Sequence, residues 1–180
     1  MTIKSNKTES AGNRTPQTEN ALKELFLDEM KDMYWSEQHL MNTLPKLVKG
    51  VTSTDLKQAI LNHLEQTKTH LTRLETAFQS LGERAAPVKC LAMECLLKEM
   101  ETVLSETGEE TEVLDIAIIT VAQKMEHYEI ASYGALKTIA AALGFTEIAE
   151  LFGTTLEEEK MADWLLTEIE NYENEAVMAE

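Results

Sequence analysis

Glu37, His63, His70, Glu126, Glu129, Glu159 and Asp163 are side chains of the kind that hold metal ions, and their spacing sets them in step with core residues. Phe26, Met30, Met33, Glu37, Leu40 and Leu44 advance by four and three, the repeat of one apolar helix face, with a carboxylate in its middle. A second seam runs Leu56, Ile60, His63, Thr67, His70, Leu74, Ala77, Leu81. The third runs Ile118, Ala122, Met125, Glu129, Ser132, Leu136, Ile139, Leu143, and the fourth Ile148, Phe152, Thr155, Glu159, Ala162, Leu166, Ile169. Every seam is apolar at its ends and polar near its centre. Glu126, three before Glu129, and Asp163, four after Glu159, lie on neighbouring patches of the same faces.

In an antiparallel bundle the helix midpoints share one height, so these polar groups would face one another. A buried ion without a partner costs several kcal/mol, against a total stability of about 5–15 kcal/mol for a domain. Two divalent cations would cancel that charge by bringing four positive charges to four or five carboxylates. Carboxylates with imidazole suit iron or manganese, and a set without thiolates argues against structural zinc. Lys124, Lys137 and Lys160 fall off the seams, so internal ion pairing lacks partners.

Taken singly, each residue has a plainer reading. A lone seam glutamate is a frayed stripe, and a lone His63 or His70 is a satisfied core imidazole. The matching height in four segments is what points to a site, with Glu37, His63, Glu126, Glu129, Glu159 and Asp163 as ligands. His70 and Thr67 are further candidates for ligands or outer partners. Tyr34 and Tyr128, close in sequence to the glutamates, are candidate outer donors or radical traps, beside an ordinary core role. His39, His127, Glu65, Lys68, Glu157 and Glu158 read as surface groups, and Met33 and Met125 as walls of the site.

Four long amphipathic segments must position these residues. The first spans roughly 21–49 and stops at Gly50, with Pro45 placed to kink its last turn. The second begins after Ser53 or Thr54 as cap and ends near Gly82, and the third spans about 111–143 with Gly144 closing it. The fourth follows a very short turn, with Thr146 as its cap, and reaches about residue 171. The first and second are tightly joined, as are the third and fourth, so each pair predicts an antiparallel hairpin. About 28 residues link the hairpins and hold one short helix near 91–104. The expected fold is all-α: a ferritin-like four-helix bundle of two antiparallel hairpins with a long crossover containing a short extra helix. Residues 1–20 read as a disordered tail, 21–172 as the domain and 173–180 as a C-terminal tail. Ile116, Ile119 and Ile130 leave the third segment apolar off its seam, which predicts a second buried face under the crossover helix or a homodimer contact. Trp35 and Trp164 suit the same roles.

Composition agrees and narrows the class. Aromatics are 6% and there are 3 Pro and 7 Gly, leaving little material for strands. The net charge of −16 repels phosphates and anionic lipid, so neither nucleic acid nor membrane is an expected partner. No run is long and apolar enough for a membrane span, and no signal peptide opens the chain. Cys90 and Cys95, five apart, match neither a zinc spacing nor a CxxC pair, and the simpler setting is a reducing cytoplasm.

Several of these stretches also resemble a known family. "KCLAMECLLKE", "AQKMEHYEIASYGAL" and "TLEEEKMADWLL" are similar to the ferritin-like YciE/YciF-type bacterial stress-induced proteins. "DMYWSEQHL", with Asp32, Tyr34 and Glu37, and "HLEQTKTHLTRLE" resemble that family's first- and second-helix motifs. The likeness covers about residues 22–172. It implies a ferritin-like bundle, a dimer and a candidate dinuclear site, with Glu37 and Glu126-x-x-Glu129 similar to the glutamates of rubrerythrin-like first and third helices. Two departures stand out. Where ferritin-like proteins carry Glu-x-x-His, this chain has Glu65-x-x-Lys68 and Glu159-x-x-Ala162, with His63, His70 and Asp163 as substitutes on the correct faces. Rapid ferroxidase chemistry is therefore not implied.

The expected function is a cytoplasmic stress-response protein holding two Fe ions, or Mn in their place, about 3.5–4 Å apart and open to a small oxidant such as peroxide or dioxygen. A rival reading is a non-enzymatic helical homodimer whose polar layer sets register, any metal being adventitious. An iron-storage shell is a third, which nothing in the chain separates from a dimer.

Overall fold

A computed structural model describes residues 15–106 and 111–179. Among them are five helices and no strand: α1 (Pro16–Leu47), α2 (Thr54–Ser80), α3 (Leu91–Glu106), α4 (Glu112–Leu143) and α5 (Thr146–Ala179). None is long and apolar enough to cross a membrane.

Local chemistry explains the ends. Thr15 caps α1 by accepting from the Thr18 amide at 3.3 Å, and Pro16 opens it with a φ suited to a first turn. The helix thus begins before Ala21, in residues too exposed to show an apolar stripe. The tail expected at 1–20 otherwise lies outside the described residues. Ser53 caps α2 and Thr111 caps α4, each accepting from the amide three residues on. Gly144 takes φ 82° at the end of α4, and the Phe145 amide donates back to Ala140 O at 2.9 Å. That left-handed turn is open to glycine at no steric penalty. Thr146, expected as a cap, is instead the first residue of α5. At the far end α5 runs on to Ala179, through the stretch expected as a C-terminal tail, since no Gly or Pro follows Gly153 to stop it.

The four long helices pack in a ring, α1 on α2 and α4, α5 on α2 and α4, with α3 laid on α4 and α1. Cross-helix contacts give their directions. Tyr34 meets Glu75 and Phe78 while Glu37 meets His70, so α1 and α2 run oppositely. Gln123 bonds Thr167 while His127 meets Asp163, and α4 and α5 are opposed as well.

The core comes in two parts with a polar layer between. One cluster gathers Leu40, Leu44, Ile60, Ile118, Met125 and Leu166, and includes Met93, Leu97 and Met100 of α3. The other gathers Phe26, Met30, Met33, Leu74, Leu136 and Phe152. Ile119 is fully buried in the first cluster beside α3, the second apolar face expected on this helix, and Trp35 packs there too. Trp164 stays exposed.

One buried carboxylate serves structure alone. Asp115 of α4 accepts from the Thr52 amide (2.9 Å), the Ser53 amide (2.7 Å) and the Thr52 hydroxyl (2.6 Å), tying the α1–α2 turn to α4. Asp115→Ala leaves the amides of half-buried Thr52 and Ser53 without this acceptor and is expected to lower the unfolding free energy by about 1–3 kcal/mol, read from urea denaturation.

Candidate metal centre

Between the two apolar clusters each long helix turns a polar stretch inward. Glu37, Thr67, His70 and Glu159 are fully buried, and Glu129, Glu126 and His63 nearly so. Their imidazole nitrogens and carboxylate oxygens lie close. His70 Nδ1 is 3.0 Å from Glu159 Oε1 and 3.3 Å from Glu37 Oε1. His63 Nε2 is 3.4 Å from Glu126 Oε1, and its Nδ1 is 3.9 Å from Glu159 Oε2.

Two groups of potential ligand atoms result, each with all atoms within 4.8 Å of one another. One is His63, Glu126, Glu129 and Glu159, and the other is Glu37, His70 and Glu159. Glu159 belongs to both. Nine buried side-chain atoms in this region make no well-aligned hydrogen bond, among them both oxygens of Glu129 and of Glu159, Glu37 Oε2 and Glu126 Oε2, although Glu159 Oε1 is in ion-pair range of His70 Nδ1. Native interiors leave few such atoms. A concentration of them on carboxylates and imidazoles is the pattern of groups awaiting a cation, and the oxygen and nitrogen donors fit iron or manganese.

Protonation states carry the same strain. Burial, reinforced by repulsion from Glu159 and Glu37, pushes Glu126 and Glu129 well above the usual carboxylate range. Burial also raises Glu37, although His70 and the Tyr133 hydroxyl pull the other way. Burial opposes ionisation of Glu159 too, but His70 and His63 outweigh it and hold that carboxyl low. Burial pushes His70 down, yet its contacts with Glu159 and Glu37 prevail and lift it to about 11. Without a cation the layer therefore keeps protons on several carboxyls and a charged imidazole beside Glu159.

An outer shell orients His70. Its Nε2 lies 2.9 Å from Glu158 Oε2, and Arg73 grips Glu158 through both guanidinium nitrogens, with Nη2 at 2.9 Å from Oε1. Arg73 also donates to Thr155 at 3.1 Å. With Nε2–H donating to Glu158, an imidazole that has lost its Nδ1 proton would present that nitrogen inward to a metal. Glu158, expected as exposed helix charge, is thus half-buried and paired. Its α2 partner cannot be read from α5 alone.

The other expected residues fall as follows. Thr67 is in the layer, but its hydroxyl donates to His63 O at 3.0 Å. Asp163 is half-buried at the edge, its Oδ1 3.1 Å from Nε2 of the exposed His127, and it joins neither ligand group. Tyr34 donates to Glu75, outside the layer, at 2.8 Å and the Tyr128 hydroxyl sits 2.9 Å from Cys90 Sγ, so neither hydroxyl is spent on a glutamate of the layer. That place is taken by Tyr133, fully buried, whose hydroxyl donates to Glu37 Oε1. Alternating steps of three and four lead from Glu129 to Ser132. The helix's own 3.6-residue turn brings Tyr133 and Ala140 inward in place of Ser132 and Ile139.

A helical bundle enclosing one layer of glutamates and histidines defines a class of candidate metal-binding helical proteins. Within it, residues 21–178 match the family described as Domain of unknown function (DUF892), and the chain belongs to that family. It is 40% identical over 149 residues to Protein YciF of Escherichia coli strain K12, covering 82% of this chain and 89% of that one. The crystal structure of the E. coli stress protein YciF superposes with a TM-score of 0.81 at 39% identity, over 86% of this chain and 97% of that one. YcfI from Rhodopseudomonas palustris gives 0.78 at 37% identity, over 88% and 96%. The similarity to YciF-type proteins carried by the motifs thus extends over most of the chain.

Proposed function

We propose that this protein is a ferritin-like bundle that binds two iron or manganese ions in its central layer and acts in a cytoplasmic stress response. The observation that carries the reading is the pair of buried ligand groups that share Glu159, with several buried carboxylate and imidazole atoms that make no hydrogen bond. His63, Glu126, Glu129 and Glu159 would hold one ion, and Glu37, His70 and Glu159 the other. When bound, the pair supplies redox chemistry toward peroxide or dioxygen. The chain supplies the rest. Glu158 and Arg73 fix the ring of His70, the Tyr133 hydroxyl steadies Glu37, and two apolar clusters exclude water on either side. The stress setting follows the description of the E. coli relative, and the free Cys90 and Cys95 suit a reducing compartment. A homodimer belongs to the same proposal, with exposed Trp164 and Tyr172 of α5 as apolar surface for a second copy.

The test is metal content by plasma mass spectrometry on protein purified without chelators, beside a Glu37→Ala/Glu159→Ala variant. About two iron or manganese ions per chain, lost in the variant, are expected. Substoichiometric metal, equal in both proteins, would overturn the reading and leave the polar layer as a device for setting register.

A further inference from the structure

A cavity of about 140 Å³ opens between α2 and α5 and ends against the metal-ligand layer. Leu44, Leu47, Ile60, Ala122 and Leu166 line its sides. His63 and Glu126 line its inner end, both side chains more than nine-tenths buried and each with an atom that lacks a hydrogen-bond partner. Asn62, Met161 and Leu165, all exposed, stand at its mouth.

The space exists because of small residues. Ala122 and Ala162 occupy seam positions that hold Ile, Leu or Met elsewhere on the same helices, and Ala162 stands three residues after Glu159. A leucine at either position would fill much of the hole. The polar lining is confined to Asn62, half-buried Gln66, His63 and Glu126, and the remaining walls are apolar. An apolar cavity of comparable size, ~150 Å³, stays dry and takes up benzene. Pockets with apolar walls and a few convergent polar groups are the usual form of small-molecule sites.

We infer that this cavity binds a small apolar organic molecule, about the bulk of one aromatic ring, and holds it against the His63–Glu126 edge of the ligand layer. The inference deepens the proposed function by assigning a substrate class to that site. It rests on that reading for any chemistry that follows, while binding itself requires no metal.

The experiment is a benzene titration of the metal-free full-length chain, followed by amide chemical shifts. Saturable shifts are expected near residues 59–63, 122–126 and 162–166. Ala162→Leu, and independently Ala122→Leu on another helix, should each weaken binding at least tenfold while leaving the helical signal and cooperative unfolding in place. Shifts that never saturate, or that cluster away from these three segments, overturn the inference. So does unchanged affinity in both folded variants. If either variant fails to fold, the other and the wild-type shift map decide. A protein that binds metal but not benzene loses this inference alone, and one that binds benzene but no metal loses only the proposed function.

Discussion

Raising the pH of the metal-free protein from about 5 to about 8 is expected to lower its stability to urea, and saturating manganese(II) to reverse that slope. The sign comes from the folded layer. Glu126, Glu129 and Glu37 hold their protons to higher pH when folded than the ordinary carboxylate value, which is their value when unfolded. Above about pH 4.5 the folded chain therefore carries more protons than the unfolded one. Stability then falls by about 1.4 kcal/mol per pH unit for each proton so retained, until the folded carboxyl ionises. His70 acts in the same direction. Its contribution is complete below the unfolded value of 6.5 and is lost as pH climbs toward the folded value of about 11. Glu159 works the other way but over a separate range. Its folded value is lowered, so its contribution is present above the unfolded value and lost only as pH falls below it. The metal-free protein should be most stable near pH 5. Cations compete with those same protons, so manganese affinity and the stabilisation it gives rise with pH. Urea midpoints at three pH values, with and without manganese, read both slopes. Equal slopes would mean that the cation does not meet the layer.

The layer was legible in the sequence because a helix periodicity is a one-chain property. Glu37, His63, His70, Glu129 and Glu159 each interrupt an apolar stripe, and each is buried. Features that depend on two helices at once were not legible. Arg73 and Glu158 look like solvated charges on their own helices and meet only when α2 packs on α5. Asp115 resembles any acid in a helix's first turn until α4 brings it under the amides of Thr52 and Ser53. Tyr133 was missed for a smaller reason, a drift of one residue in a seam counted by integers. The start of α1 was missed because Thr15 and Pro16 signal a helix through capping, while the residues after them show no apolar face.

Glutamine substitutions should divide the layer into unequal parts. Glu159 serves both ligand groups, Glu129 only the group with His63, and Glu37 only the group with His70. Wild-type protein should carry about two ions per chain, Glu159→Gln almost none, and Glu129→Gln and Glu37→Gln about one each, counted by plasma mass spectrometry after dialysis. Stability without metal should move the opposite way. Both Glu129 oxygens are buried without a partner, and burial with nearby charges raises that carboxyl well above its ordinary range. Replacing it with a neutral amide of the same shape removes the penalty of keeping or losing a proton there. At neutral pH, metal-free Glu129→Gln should therefore unfold at a higher urea concentration than metal-free wild type. Residues kept for a ligand tend to weaken the empty fold. A polar layer that merely sets helix register makes the contrary prediction, since the native carboxylate would then be the stabilising partner. Loss of one ion together with a gain in metal-free stability is the joint result expected of a ligand. A variant that keeps both ions, or that loses stability without metal, would remove Glu129 from the site.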